Sequence, residues 1–230
     1  NIIDPLEMIE KYGADAVRFT LCAITVNSAV MYLSEKRFEG YRNFTNKVYN
    51  AARFVAMNTQ DLTAAELAAG LDVERLETED KWILSLLQRT VDRVNAAYEA
   101  YEFEQIAHHI YQFLWSQYCD WYLELVKPRL YLADGATEAE RASRTNARRV
   151  LVLALEHVLR LAHPIMPFLT EEIWQSLRAR LGGEAPATVA DGITRETIEA
   201  LTRESPVVAP WPESGLPEWI NADEEADAVL

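Results

Sequence analysis

Within the twelve residues from Arg42 to Arg53 the chain carries three cations and three carboxamides: Arg42, Asn43, Asn46, Lys47, Asn50 and Arg53. On a helix turning ~100° per residue these six lie within about 140° of one another, while Phe44, Val48, Ala51 and Val55 gather on the opposite side. One flank would pack and the other would meet solvent. From Glu35 to Phe54 the charged residues are Lys36, Arg37, Arg42, Lys47 and Arg53 against Glu35 and Glu39, a net positive stretch in a chain of formal charge −14. Cations attract phosphate and release its counterions, and carboxamides pair with base edges, so this set suits an unstacked RNA segment. Tyr49 and Phe54 border the stripe and offer rings for stacking. An ordinary solvated face would show the same pattern, although three asparagines on one side of a helix carry a small cost that binding would explain.

Other chemistry finds less support. Arg141, Arg144 and Arg148 form a second basic stripe, but Glu138 and Glu140 precede Arg141 and Arg144 at the spacing of surface ion pairs. Lys127 and Arg129 close an aromatic-rich helix, where phosphate contact and compensation of the helix C-terminus are equally open. His108 and His109 diverge by ~100° on a helix, and His157 and His163 have no neighbouring ligand set, so all four are expected to be structural, with no metal bound. Cys22 and Cys119 lie far apart inside apolar patterns and are expected as core-packed thiols. No phosphate-cradling glycine loop, nucleophile elbow or HExxH helix is present, so no residue is assigned to catalysis or to a cofactor.

The elements that must hold the Arg42–Arg53 face are predominantly helical. Half of the 230 residues are apolar, a quarter are charged and only eight are glycine, a globular and helix-rich composition. Asp4 before Pro5 predicts a helix that Gly13 ends, and Ala14 to Ala23 a second; Val26 to Leu33 reads as a short strand or extended crossing. Ser34 is expected to cap a helix from Glu35 to Asn58. After an acidic connector (59–77) with a short helical turn, Thr78 should open a helix to about Tyr101, with Ile83, Leu87, Val91, Val94, Tyr98 and Tyr101 on its apolar side. Phe103, Ile106, Ile110, Phe113, Leu114, Trp121 and Leu125 mark another, stopped at Lys127-Pro128. The capping box Thr137–Glu140 starts a helix reaching His163, and Thr170 is expected to cap a last helix to Leu181.

These spans predict an all-α fold: an antiparallel helical bundle over residues 35–183, preceded by a small mixed module over 1–34. Residues 184–230 read as an acidic extension, with eleven acids against Arg195 and Arg203. Within it Val207 to Pro212 is expected to dock an aromatic in extended form, and the last ten residues to be solvated. The acidic bulk argues against DNA. The absence of a run of about eighteen apolar residues argues against a membrane, and the start Asn1-Ile2-Ile3-Asp4-Pro5 lacks a secretory pattern, so a cytoplasmic location is expected. Opening on asparagine, the sequence reads as a piece of a longer chain.

Four ordered blocks carry a resemblance. Asn1-Ile2-Ile3-Asp4-Pro5 looks like the sequence that follows the KMSKS loop of the valyl-tRNA synthetase family of class I ligases, and Lys11 to Phe19 looks like its next block. Glu39 to Phe54 resembles the family pattern EGYRNFxNKxWNAxRF, with Tyr49 where tryptophan is usual, and His163 to Trp174 resembles a block shared with isoleucyl and leucyl enzymes. The resemblance spans roughly residues 1 to 212. It implies a stem-contact-like module followed by an anticodon-binding helical bundle, with a coiled coil beyond the acidic end. The catalytic domain with its HIGH motif, the KMSKS lysines and the editing domain would lie upstream, so ATP and Mg2+ would belong to that absent part of a monomeric parent valine–tRNA ligase. For this piece the resemblance implies the anticodon arm of tRNA(Val) as partner, with phosphate contacts from Arg42, Lys47 and Arg53 and base-edge contacts from Asn43, Asn46 and Asn50. Thr25 to Val30 departs from the glycine-arginine-aspartate stretch of many members, so contacts of that loop do not carry over. Two alternatives stand beside this reading: a helical protein-interaction scaffold without RNA binding, and the equivalent domain of an isoleucyl or leucyl enzyme, against which Glu39 to Phe54 argues.

Overall fold

The computed structural model describes residues 3–25, 33–182 and 192–213. Among these, every regular element is helical. Helix α1 (Pro5–Tyr12) starts as its sequence dictates: the Asp4 carboxylate accepts from the Leu6 amide at 2.8 Å, Pro5 takes the first position, and the chain leaves through Gly13 at φ 88°. Helix α2 (Ala14–Ala23) follows at once. The extended crossing expected at Val26 to Leu33 falls almost entirely outside the described residues, so the mixed character of the first module rests on no observed strand.

Helix α3 (Glu35–Asn58) has the predicted bounds, but Ser34 makes no side-chain capping bond; Glu35 in the first turn pairs instead with Lys11 of α1 at 2.8 Å. The connector holds α4 (Ala64–Ala68), with a Thr63–Glu66 capping box, and a 3-10 turn at Val73–Arg75. Helix α5 (Thr78–Glu99) opens at Thr78 as expected, with Glu77 and Asp80 forming the reciprocal box across its start. Of its expected apolar side, Ile83, Leu87, Val91 and Val94 are fully buried, whereas Tyr101 lies past the helix end and is exposed.

The next stretch departs most from expectation. Helix α6 (Phe103–Tyr111) passes into an eleven-residue π-helix (Gln112–Tyr122) and then α7 (Leu123–Leu130), which runs through Pro128 instead of stopping before it. The proline removes one helical hydrogen bond. The turn survives because Arg129 is anchored from three sides: to Glu79 at 3.0 Å, to the buried Asp80 at 2.7 Å and to the Ser143 hydroxyl at 2.9 Å. Tyr122 donates to the same Asp80 at 2.8 Å.

Helix α8 (Glu138–Ala162) begins at the predicted Thr137–Glu140 box and runs through the centre, with everything from Val150 to Ala162 buried. Helix α9 (Pro167–Leu181) corrects another expectation. Thr170 is inside it, its hydroxyl turned back to the Met166 carbonyl at 2.7 Å and to His163 Nδ1 at 2.6 Å. The cap comes from far away in sequence: Asp15 of α2 accepts from the amides of Leu169 at 2.6 Å and Phe168 at 3.3 Å. Arg18 adds bonds to the carbonyls of Pro164 and Ile165. Helix α10 (Gly192–Leu201), within the acidic stretch, buries Ile193, Ile198 and Leu201 in the same core as α8 and α9. Trp211 docks as expected of its segment, edge-on to Tyr98 at 5.3 Å, with its indole N–H on Asn95 at 2.7 Å, but the segment is not extended throughout: Pro206–Val208 forms a 3-10 turn, with the Ser205 hydroxyl accepting from the Val207 amide. The last ten residues lie outside the described ones. Among those described, no helix is long and apolar enough to cross a membrane.

Candidate nucleic-acid interface

Helix α3 buries Phe38, Phe44, Val48, Ala51, Ala52 and Val55, which fixes its rotation and turns the opposite side outward. Arg42, Asn43, Asn46, Asn50 and Arg53 are all exposed, and among the described residues no side-chain hydrogen bond or ion pair engages any of them. Lys47, at the edge of the stripe, is different. It is half-buried, its ammonium ion-paired with Asp120 and 3.9 Å from the centre of the Trp115 ring. The structure thus brings five of the six expected residues to an open face and places the sixth in a partnered niche on its flank.

That niche is the work of the π-helix. Its wider winding, more than four residues per turn, keeps Trp115 and Asp120, five positions apart, on the side facing Lys47, where an α-helix would rotate them about 140° apart. Tyr111 and Trp115 stack at 5.5 Å and 10°, and Asp120 follows beside Lys47. Tyr111 in turn packs on Phe44 of α3 at 4.8 Å, which couples the niche to the core. Close by, the Lys127 ammonium lies 5.9 Å over the Phe54 ring and pairs with Glu124, and Trp121 is exposed. Trp115 and Asp120 were not legible as site residues. Their only sequence signal is an aromatic run, which reads as a buried central helix, and nothing in it announces the change of winding. A cation resting on an indole face with a carboxylate at its side offers a donor, an acceptor and a stacking surface within one patch.

The other flank of α3 faces α9. Asn46 and Tyr49 line a cleft of about 460 Å³ with Gly13, Asp15 and Phe168, and Tyr49 and Arg53 line a smaller one of about 100 Å³ with Glu172 and Leu177.

The remaining candidates serve the fold. Arg148 pairs with Asp61 at 2.7 Å, Arg149 donates to the Glu66 carbonyl at 2.8 Å, and Asn146 exchanges two bonds with the Asp72 backbone, so the first half of α8 straps down the connector. Of the second basic stripe, Arg148 thus forms an ion pair across elements and Arg141 bonds the nearby Ala136 carbonyl, in place of the local pairs their spacing suggested. His157 and His163 are buried in hydrogen-bonded positions. Burial pushes the thiols of Cys22 and Cys119 up to about 11 and about 12, so both stay protonated at neutral pH.

A family model described as the anticodon-binding domain of tRNA ligase matches residues 80–229. The chain is 44% identical, over 92% of its length, to the valine–tRNA ligase of Protochlamydia amoebophila (strain UWE25), and 43% identical, over 91%, to that of Aquifex aeolicus (strain VF5). It spans only 23% and 18% of those two relatives. Among solved structures, the crystal structure of the ternary complex of Agrobacterium radiobacter K84 agnB2 LeuRS-tRNA-LeuAMS contains a chain that matches 96% of this one with a TM-score of 0.53 at 19% identity, a likeness of fold.

Proposed function

The chain belongs to the family of anticodon-binding domains of tRNA ligases, and from that premise we propose that its α3 face holds the anticodon arm of tRNA(Val) within a longer valine–tRNA ligase. The observation that carries this reading is the free polar stripe. Five side chains able to contact phosphate and base edges stand exposed and unpartnered on a net positive helix of a −14 protein. Arg42 and Arg53 supply phosphate contacts; Asn43, Asn46 and Asn50 offer both a donor and an acceptor to unstacked bases. Lys47 acts from its niche, where RNA phosphate must compete with Asp120 for the ammonium.

The arm is held so that an aminoacylating centre elsewhere in the longer protein can act on the far end of the tRNA. ATP and Mg2+ belong to that centre. The location that goes with this role is the cytoplasm.

The test is a low-salt binding titration of the 230-residue chain with a tRNA(Val) transcript and with the same transcript carrying another anticodon. Asn46→Ala is expected to narrow the preference for the valine anticodon, and Arg42→Ala to weaken both RNAs alike and flatten the salt dependence. Equal binding of the two transcripts by the unaltered chain would refute anticodon reading. No binding to either would leave the helical protein-interaction scaffold as the better account.

A further inference from the structure

A cleft opens where α3 meets the α1–α2 junction and the first turn of α9. At about 460 Å³ it falls in the ~300–1,000 Å³ range of small-ligand sites, well above a packing defect. Two large rings open onto it: Tyr49 from α3, 43% exposed, and Phe168 from α9, 67% exposed. Neither ring has an aromatic or cationic partner among the described residues, whereas Phe19, Phe44, Tyr111 and Trp115 a short distance away form a continuous chain of touching rings. Asn46 stands at the same rim with its carboxamide unpartnered.

The charge around the cleft is as informative as its shape. Asp15 is the carboxylate in its wall; it is buried, and each of its oxygens accepts from an amide at the start of α9, Phe168 or Leu169, so its charge is turned toward the helix end. Arg53 lies one helical turn beyond Tyr49 and opens onto the adjoining small cleft, where Glu172 also sits without pairing to it. Exposed rings, a free carboxamide and an unpaired guanidinium beside them match the three parts of a nucleotide: stacking surface, base edge and phosphate.

We propose that this cleft receives one unstacked nucleobase of the bound RNA, stacked against Tyr49 and Phe168 and hydrogen-bonded by Asn46, with its phosphate at Arg53. This rests on the reading of α3 as an RNA-binding helix, but it concerns the α9 flank, opposite the Lys47–Trp115 niche. Stacking tolerates every base, so the cleft grips without needing to read, and any preference comes from the carboxamide.

The experiment uses the full chain with tRNA(Val) transcripts carrying 2-aminopurine at one unpaired position at a time. Binding is expected to quench the emission of one labelled position. Phe168→Ala is expected to abolish that quench and to lower affinity about five- to twentyfold with an unchanged salt dependence, since stacking carries no counterion term. Asn46→Ala should keep the quench and lower affinity by a few-fold. Phe168 is exposed, and a thermal melt of each variant verifies that it is folded. If Lys47→Ala weakens RNA binding while Phe168→Ala leaves both affinity and every label untouched, the cleft is overturned and the RNA reading stands. If the unaltered chain binds no RNA, both fall.

Discussion

Arg160 and Arg53 carry the same guanidinium and meet opposite fates. Arg160, in the middle of α8, is fully buried; it pairs with both oxygens of Glu156 at 2.6 and 3.0 Å, with Glu196 of α10 at 2.9 Å and with the Pro210 carbonyl at 2.7 Å. Thr197 and His157 complete the shell around Glu156 at 3.1 and 3.2 Å. Arg53 stands in solvent with no partner among the described residues. A charge taken from water is tolerated only where the protein replaces the hydrogen bonds that water supplied, and the Arg160–Glu156 pair at the centre of the α8 cluster has its bonding capacity spent within the fold. A solvated stripe has all of its hydrogen-bonding capacity in hand. What distinguishes the proposed binding face from scaffolding is therefore the state of satisfaction of the polar groups, since a guanidinium stands in both places.

The largest effect should come from breaking the interior cluster. Arg160→Met leaves Glu156 and Glu196 without their shared cation, and is expected to lower the free energy of unfolding by about 3–5 kcal/mol, read by chemical denaturation. The RNA affinity of the fraction that remains folded should not change. A loss below about 1 kcal/mol would mean that the cluster is wet and that the contrast drawn with α3 is false. The converse substitution, Arg42→Ala with Arg53→Ala, should leave stability within about 0.5 kcal/mol, because neither side chain holds anything in place. It should lower RNA affinity roughly tenfold and reduce the salt slope by about 0.7–0.9 for each phosphate that is no longer neutralised.

The same contrast explains how much could be read in advance. The α3 stripe was legible because a helix of known rotation converts residue spacing into a face, and because Phe44, Val48, Ala51 and Val55 fix that rotation unambiguously. Local caps were legible too, as at Asp4-Pro5 and Thr137–Glu140, where the partners lie within three residues. What escaped depends on partners distant in sequence. The cap of α9 comes from Asp15, about 150 residues away along the chain. The persistence of α7 through Pro128 depends on Asp80 and Glu79, and the niche that holds Lys47 depends on a change of helical winding that leaves no mark in residue periodicity. Glu196 and Thr197 sat in a stretch read as acidic extension, where a single buried carboxylate cannot be told from solvated ones.

Solution pH offers a finer test of the interior. Burial and the Arg160 charge push the His157 imidazole down, but its contacts with Glu156 and Glu196 outweigh them and hold it above its ordinary 6.5. Burial pushes the Glu156 and Glu196 carboxyls up, and the charges of His157 and Arg160 outweigh this and hold both below 4.5. A group raised in the folded state contributes fully below its unfolded value and fades as pH climbs through the folded one; the depressed carboxylates do the reverse on the acid side. The contribution of this cluster should therefore be greatest between about pH 4.5 and 6.5 and decline in both directions. His157→Gln is expected to remove the alkaline decline and leave the acid one. An unchanged alkaline decline in that variant would show that His157 is neutral in the fold.

The smallest effect is also the one that joins the two regimes, because Lys47 lies between them. It is on the proposed binding face by sequence, yet Asp120 already neutralises it, with Trp115 beneath the ammonium. Asp120 is about half exposed, so the pair contributes only about 0.2–1 kcal/mol to stability, and Asp120→Asn should cost no more than that. For RNA the substitution works in the opposite direction. A phosphate approaching the unaltered protein has to displace the carboxylate and suffers its repulsion, and Asp120→Asn removes both. RNA affinity should rise two- to fivefold, with a salt slope steeper by up to about 0.7–0.9, as expected for one more cation free to release counterions. Weaker RNA binding in this variant would mean that Asp120 itself accepts a hydrogen bond from a base. The niche would then belong to base reading, and Lys47 would count among the satisfied charges of the interior cluster's kind.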